Sequence, residues 1–405
     1  MSRLLRDDCI YIGSEKYYRL IENSKEKKRT FCTTWSAVVE DVKSFKKYFL
    51  KYTMSDDKEG ISVLKKESQF KMYYPYIEHI YGDFWGIDDD DNEIYGVLGE
   101  YIEGMTMREY REKYKIISDE KIFRYMLQLL YAVRHYTDFI KDDPYVHRDL
   151  KPDNIMINTK YDKAMIIDFD WAHIYKSTDT QRQETIGGTF GYSDPRAYQS
   201  NITDIKMDIY ALGRVFFFWL KGRDYFSEDE CKMYRHFSCD DLAYSFDKER
   251  LPEKYKQEKY CKLIKIISKM VDFPEKRYSK ISDIIDDMKK FLIEFFEGIE
   301  NYQSIFGDNT ILRIPEDRYI KDAVTVGYCC SSDNKRISVS LEEYRMHDII
   351  VEGQIIMCIY NIKGSVYYVP ISPKIEKKTE YDDDTYRISD GDIFYYDDKV
   401  IDFIM

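Results

Sequence analysis

Residues 145–154, "YVHRDLKPDN", place a histidine, an arginine, two aspartates, a lysine and an asparagine within ten positions. The decamer follows a long helical pattern and is framed by apolar anchors, Val146 on one side and Ile155 and Met156 on the other. It therefore reads as a loop between short strands. Asp149 is an acceptor able to hold a substrate hydroxyl. Asn154, five positions later, offers a neutral amide oxygen suited to a hard divalent cation. Lys151 lies between them as a mobile positive charge able to follow a migrating phosphoryl group. Fourteen residues beyond Asn154, "AMIIDFDWA" brings Asp168 to the end of an apolar strand as a second oxygen ligand for metal. Phosphoryl transfer asks mainly for positioning and charge neutralisation, so carboxylate, amide, lysine and metal suffice.

Outward from this loop the texture changes twice. Residues 1–100 read mostly as short β segments such as "TTWSAVVED" and "KKYFLKYTM", with one helical stretch around "VLKKESQFKMYY". The acid run Asp88–Asp91 reads as a solvated hairpin tip, and "KEKKR" (Lys25–Arg29) as a solvated turn. From about residue 106 helices take over. "DEKIFRYMLQLLYAVRHYTDFI" sets Ile122, Met126, Leu129, Leu130 and Val133 on one face, and further helical runs follow at "KMDIYALGRVFFFWLKG", "YCKLIKIISKMV" and "KISDIIDDMKKFLIEFFEGI". After about residue 300 strands return, with two apolar-rich runs around a Lys363-Gly364-Ser365 turn. The expected architecture is α+β: a β-rich lobe over 1–102, a helical lobe over 103–300, and an all-β module over 310–405.

Composition narrows the partners. A net charge of −12 over 405 residues argues against a broad nucleic-acid interface, which needs a basic surface. "MSRLLRDDCIYIGSEKYY" carries charge where a signal peptide is apolar, and "IYALGRVFFFWL" is too short to span a bilayer and contains Arg214. Eight cysteines are scattered without CxxC pairs. They read as reduced thiols, and the chain as cytoplasmic with no membrane partner.

The stretch His147-Arg148-Asp149-Leu150-Lys151-Pro152-Asp153-Asn154 resembles the catalytic loop of eukaryotic-type (Hanks-type) serine/threonine protein kinases. That resemblance implies a bilobal fold and transfer of the ATP γ-phosphate to protein hydroxyls, with magnesium, or manganese in its place. It implies Asp149 as catalytic base or hydroxyl orienter, and Lys151 and Asn154 as γ-phosphate and magnesium contacts. Asp168 takes the place of the metal-binding aspartate of the D-F-G motif. Upstream, Lys51 in "YFLKY" matches the ATP-anchoring lysine, Glu67 in "LKKESQF" its glutamate partner, and Val38 the valine above the adenine. "GVLGEYIEGMTMREY" resembles the hinge, with Glu100–Ile102 offering backbone bonds to adenine and Gly99 at the gatekeeper position, which implies a roomy back pocket. Downstream, Thr189 in "GGTFGYSDPRAY" matches the residue that contacts Asp149 and Lys151, and Asp208 the buried aspartate that braces the loop. Ser177, Thr178, Thr180 and Thr185 lie between Asp168 and Thr189, either as sites where a phosphate would order an activation segment through Arg148 or simply as part of a polar, mobile loop.

Three departures stand out. The expected phosphate loop, "TFCTTWSAV" (30–38), has no glycine, so Cβ atoms restrict the backbone where N–H groups should close over phosphates. Asp170 replaces the D-F-G glycine, where it either supplies a metal ligand or points outward. Arg196 replaces the glutamate of A-P-E, leaving two arginines, Arg196 and Arg277, in need of another acid. A pseudokinase scaffold whose C-terminal module recruits a protein partner is therefore the alternative, with a small-molecule phosphotransferase behind it.

Residues 310–405 resemble, more faintly, a forkhead-associated (FHA) β-sandwich. Gly327, Tyr344-Arg345-Met346-His347, Gly364-Ser365 and Gly391-Asp392 carry the likeness. Tyr328, Tyr344 and Lys363 stand where that family holds phosphate, so a degenerate sandwich without normal phosphothreonine reading is expected.

Overall fold

The computed structural model describes residues 33–298 apart from 44, 71–75, 89–91, 140–144, 160–161, 175–187, 200–203 and 232–242. It also gives the backbone of strands within 9–28 and 328–401, and the Tyr18 side chain. The chain divides into two compact units, Met1–Phe295 and Phe296–Met405.

The first unit opens with seven strands: β1 (Cys9–Ile12), β2 (Lys16–Leu20), β3 (Lys25–Lys28), β4 (Thr33–Asp41), β5 (Lys47–Met54), β6 (Ile80–Ile87) and β7 (Glu93–Glu100). Their order is β2-β1-β6-β7-β5-β4-β3, and β2 pairs again with β4, so the sheet curls back on itself. Val39, Leu50, Tyr52 and Ile94 fill its inside, and Tyr18 meets Tyr48 edge-on at 5.7 Å. The lysine run expected as a turn is instead strand β3, paired with β4 from Lys25↔Ser36 to Lys28↔Thr33. It lies at the end of the strand order, where lysines discourage a further chain from adding on. Asp88 does sit at the β6–β7 tip, yet it is buried and accepts from the Asn92 backbone N–H at 2.9 Å.

Helix α1 (Lys58–Glu67) begins and ends earlier than the apolar pattern implied. Asp57 accepts from the Gly60 N–H at 2.8 Å, capping a start that the apolar spacing alone does not mark. The buried Leu64 then packs on Ile80, Tyr95 and Val97.

Below the sheet come strand β8 (Gly104–Thr106), α2 (Met107–Lys113), α3 (Asp119–Arg134), β9 (Tyr145–Val146), β10 (Ile155–Asn158), β11 (Lys163–Ile166) and β12 (His173–Ile174). Thr106 and Glu109 form a reciprocal capping box at α2, and Ser118 caps α3. Gly104 permits β8 to approach β10, since a Cβ there would meet the Ile157 carbonyl oxygen at 2.0 Å. All five residues predicted for the α3 core face are buried.

Helices α4 (Arg196–Gln199), α5 (Ile205–Lys221), α6 (Cys261–Val271) and α7 (Ile281–Phe295) follow in the unit. Every residue of α5 from Met207 to Leu220 is buried. Its Arg214 donates to the Ala243 and Ser245 carbonyls at 2.6 and 3.1 Å and lies over the Tyr225 ring. No described helix is long and apolar enough to cross a membrane.

The second unit holds strands β13 (Tyr328–Cys330), β14 (Arg336–Ser338), β15 (Arg345–Val351), β16 (Gln354–Ile362), β17 (Ser365–Pro370), β18 (Ile375–Lys378), β19 (Ile393–Tyr396) and β20 (Lys399–Ile401). Every strand pairing described in this unit is antiparallel, and β16 and β17 close a hairpin at Ile362↔Ser365, where the two apolar runs were expected to turn. Gly327, Tyr344, Lys363, Gly364, Gly391 and Asp392 lie outside the described residues.

Gly213 marks a close contact of α5 with α6, since a Cβ there would stand 2.6 Å from Val271 Cγ1 and 3.0 Å from Met270 Cβ. Gly213→Val should cost about 1–3 kcal/mol by overpacking α5 against α6. Urea titration would read this as a lower midpoint with an unchanged slope.

Candidate active site

The decamer comprises β9 and the turn that leads to β10, and α5 fixes its backbone. The Asp208 carboxylate accepts from the His147 N–H at 2.7 Å, the Arg148 N–H at 3.0 Å and the Tyr136 hydroxyl at 3.0 Å. Burial pushes the Asp208 carboxyl up, and those donors together with His147 pull it back. Arg148 takes a left-handed φ of 69°, and the His147 ring reaches the Ile167 carbonyl at 3.1 Å. That contact ties the loop to the segment carrying Asp168.

Asp149 is then caught in a closed triangle. Lys151 Nζ donates to its Oδ2 at 2.7 Å, the Thr189 hydroxyl donates to its Oδ1 at 2.7 Å, and Lys151 also donates to Thr189 Oγ1 at 2.8 Å. Asn154 Nδ2 donates to the Asp149 carbonyl at 2.9 Å and to Oδ2 at 3.0 Å. With the amide nitrogen so committed, Oδ1 is the Asn154 atom that can face a cation.

A second cluster surrounds Lys51 on β5. Its ammonium donates to Glu67 Oε1 on α1, to Asp168 Oδ1 at 2.9 Å and to Asp170 Oδ1 at 3.3 Å. Burial alone favours neutral lysine, but Asp168, Glu67 and Glu78 reverse that and hold the ammonium charged well above the usual lysine range. Asp170 therefore points inward, settling the question its sequence position left open. Phe169, between the two aspartates, is buried against Phe70, Tyr136 and His147.

The donor set fits a hard divalent cation. Oxygen atoms of Glu67, Asp168 and Asp170 lie within 4.8 Å of one another, and Glu67 Oε2 is buried with no hydrogen-bond partner.

The hinge residues begin at Glu100, the last residue of β7. The Glu100 N–H donates to the His79 carbonyl at 2.8 Å, and Ile102 is buried. Val38 is buried in β4 opposite Phe49. Beside Gly99 lies the Glu78 carboxylate: a Cβ on Gly99 would meet Glu78 Oε1 at 2.6 Å. Burial pushes the Glu78 carboxyl up to about 7 against the pull of Lys51. The expected loop 30–38 is also shorter. Thr33 through Val38 belong to β4, leaving residues 29–32 to join it to β3. Thr185, Ser177, Thr178 and Thr180 lie outside the described residues.

The acid that the two arginines needed is Asp194, two residues before Arg196. Arg196 donates to it at 2.9 Å and Arg277 at 2.5 Å, and both Asp194 and Arg277 are fully buried side chains. In "DPR" the negative charge has moved from the third position to the first, a signal present in the sequence. Beside Thr189 opens a cavity of about 930 Å³, with Arg108, Tyr192, Asp224, Phe226 and Arg250 among its lining residues.

Residues 42–289 match the protein kinase domain family. The chain belongs to that family. Its α+β fold, with a β-sheet lobe carrying Lys51 and a helical lobe carrying Asp149, is the kinase fold. It is similar to the serine/threonine-protein kinase PrkC of Bacillus subtilis (strain 168), 32% identical over 176 residues, which are 43% of this chain and 26% of that protein. An Aurora kinase of Debaryomyces hansenii is 28% identical over 177 residues, 44% of this chain and 40% of the other. A probable serine/threonine-protein kinase of Clostridium acetobutylicum is 24% identical over 259 residues, 63% of this chain and 37% of the other. The match thus spans well under half the length of each of these relatives.

Removing Asp194 would strand the buried Arg277, so Asp194→Ala should destabilise the kinase domain by about 3–5 kcal/mol, measured by chemical denaturation. Burial raises the Asp194 carboxyl, but Arg196 and Arg277 overcome it and hold it below its ordinary value. Its contribution is complete above about pH 4 and is lost as pH falls through the depressed folded value. The wild type should lose stability more steeply than Asp194→Ala in that acid range.

Proposed function

We propose that this chain transfers the γ-phosphate of ATP to serine or threonine hydroxyls of proteins. The observation that carries the reading is the triangle of Asp149, Lys151 and Thr189, in which every edge is a hydrogen bond of 2.7–2.8 Å. An acceptor hydroxyl entering from the side of Thr189 meets the Asp149 carboxylate, which orients it and takes its proton as the new phosphorus–oxygen bond forms. The bond from the γ-phosphorus to the β–γ bridging oxygen breaks, with ADP as the leaving group. Lys151 balances the negative charge that gathers beside that carboxylate. Lys51, fixed by Glu67, faces the nucleotide phosphates. Asn154 and Asp168 would hold magnesium or manganese, which when bound neutralises the phosphate oxygens. The cavity beside Thr189 lies next to the Asp149–Lys151–Thr189 triangle, where a protein acceptor would approach.

The glycine-free connection at 29–32 favours the second reading, a pseudokinase that binds nucleotide or a partner without transferring phosphate. Its C-terminal β-module, FHA-like in the reading above, would then serve to recruit a protein. The sequence departures leave Asp149, Lys151, Asn154 and Asp168 in place, which favours an active enzyme.

Incubation of the purified chain with magnesium, labelled ATP and a generic protein substrate separates the two. Labelling should fall about 10²–10⁴-fold in Asp149→Asn. Equal labelling by both proteins refutes the assignment of the site. Nucleotide-dependent thermal stabilisation with no label supports the pseudokinase.

A further inference from the structure

Glu78 is a buried carboxylate that the transfer reaction does not use. It lies in the segment between α1 and β6, and backbone bonds hold that segment to β11. The Glu78 N–H donates to the Ile166 carbonyl at 2.8 Å, and the Ile166 N–H to the Tyr76 carbonyl at 2.9 Å. One carboxylate oxygen, Oε1, fills the space where a side chain on Gly99 would begin, 2.6 Å from the Cβ position. The other, Oε2, accepts the backbone N–H of Asp168 at 3.1 Å. Glu78 is thus wedged between strand β7 and the main chain that presents the metal-facing carboxylate.

Asp168 has a backbone that calls for support. Its φ of 66° and ψ of 70° are left-handed. Aspartate tolerates that region better than most residues, yet such conformations persist where the surroundings over-determine them. Its own carboxylate is turned toward Lys51, and its N–H is held by Glu78.

We propose that Glu78, admitted by the absent side chain at Gly99, is a positioning residue that fixes the main chain of Asp168 and so aims its carboxylate at Lys51 and the metal. The inference rests on the kinase reading above for its catalytic consequence, though not for its geometry. Gly99 and Glu78 form one unit: a β-carbon at 99 expels the carboxylate from its seat, and an apolar residue at 78 leaves the Asp168 N–H without that acceptor. Glutamine at 78 keeps a carbonyl oxygen for the same bond and separates hydrogen bonding from charge.

The test uses the full chain in three forms: wild type, Glu78→Val and Glu78→Gln. Backbone amide exchange across 165–171, a readout that needs no activity, should quicken at Asp168 in Glu78→Val and stay near wild type in Glu78→Gln. In phosphorylation assays Glu78→Val should raise the half-saturating magnesium concentration about tenfold or more, as loss of a charge-assisted hydrogen bond would. The KM for the protein acceptor should stay unchanged, and Glu78→Gln should recover the wild-type metal dependence. Gly99→Ala, which displaces the carboxylate without altering residue 78, should reproduce the metal defect and carries the same test should Glu78→Val fold poorly. Unchanged exchange at Asp168 together with unchanged magnesium saturation in the Val and Gly99 variants would overturn the proposal. Faster exchange at Asp168 in a chain whose wild type transfers no phosphate would uphold the positioning and sink the kinase reading instead.

Discussion

The ammonium of Lys51 sits among carboxylates drawn from widely separated parts of the chain, Glu67 on α1 and Asp168 and Asp170 beyond β11. Sequence separations of 117 and 119 residues to the two aspartates mean that this one group joins the sheet lobe to the helical lobe. Its placement depends on strand register. Lys51 stands opposite Ser36 on β4 and Val97 on β7, while its neighbours Leu50 and Tyr52 are buried in the sheet core. A slip of one residue would send the ammonium to that core face and an apolar side chain to the acids. Burying each of these charges costs several kcal/mol, and only their mutual geometry offsets it. The curled sheet, the early start of α1 and the bond from Asp168 to Glu78 all serve to hold that geometry.

What the sequence made legible follows from how local each signal was. The catalytic loop could be read because its working groups, Asp149, Lys151 and Asn154, lie within six positions of one another and between two apolar anchors. Helices α3, α5, α6 and α7 and strands β4 and β5 could be read because periodicity is a short-range property. Glu78 and Asp194 could not be read in the same way. Glu78 acts on a backbone N–H 90 residues away, and Asp194 on a guanidinium 83 residues away. Helix α1 was misplaced because apolar spacing says nothing about the Asp57 side chain bond that starts it. Strand β3 was missed because its lysines are ordinary for an edge and look, in one dimension, like a turn. The return of β2 to β4 is a pairing, and pairings are invisible to a pattern read along one strand.

The departures from the family pattern are easier to understand in space than in sequence. Arg196 in place of an acid looks like a broken ion pair until Asp194, two residues earlier, is seen bonding to both arginines. Gly99 looks like a vacant gatekeeper until Glu78 is found filling the space. Asp170 looks like a lost glycine until its carboxylate is found on the Lys51 ammonium. At Arg196 and Gly99 the charge or volume is kept and only the residue that supplies it has moved, while Asp170 adds a carboxylate that Lys51 accommodates. Compensation of this kind is what maintenance of a working electrostatic arrangement produces, because an uncompensated buried charge costs far more than the substitution that restores its partner. Substitutions at a site with no remaining task carry no such constraint, since a neutral, apolar packing of Arg277 or Lys51 would serve stability equally well or better. The buried ion pairs are expensive to keep, and those around Lys51 preserve the arrangement that the proposed phosphoryl transfer would use.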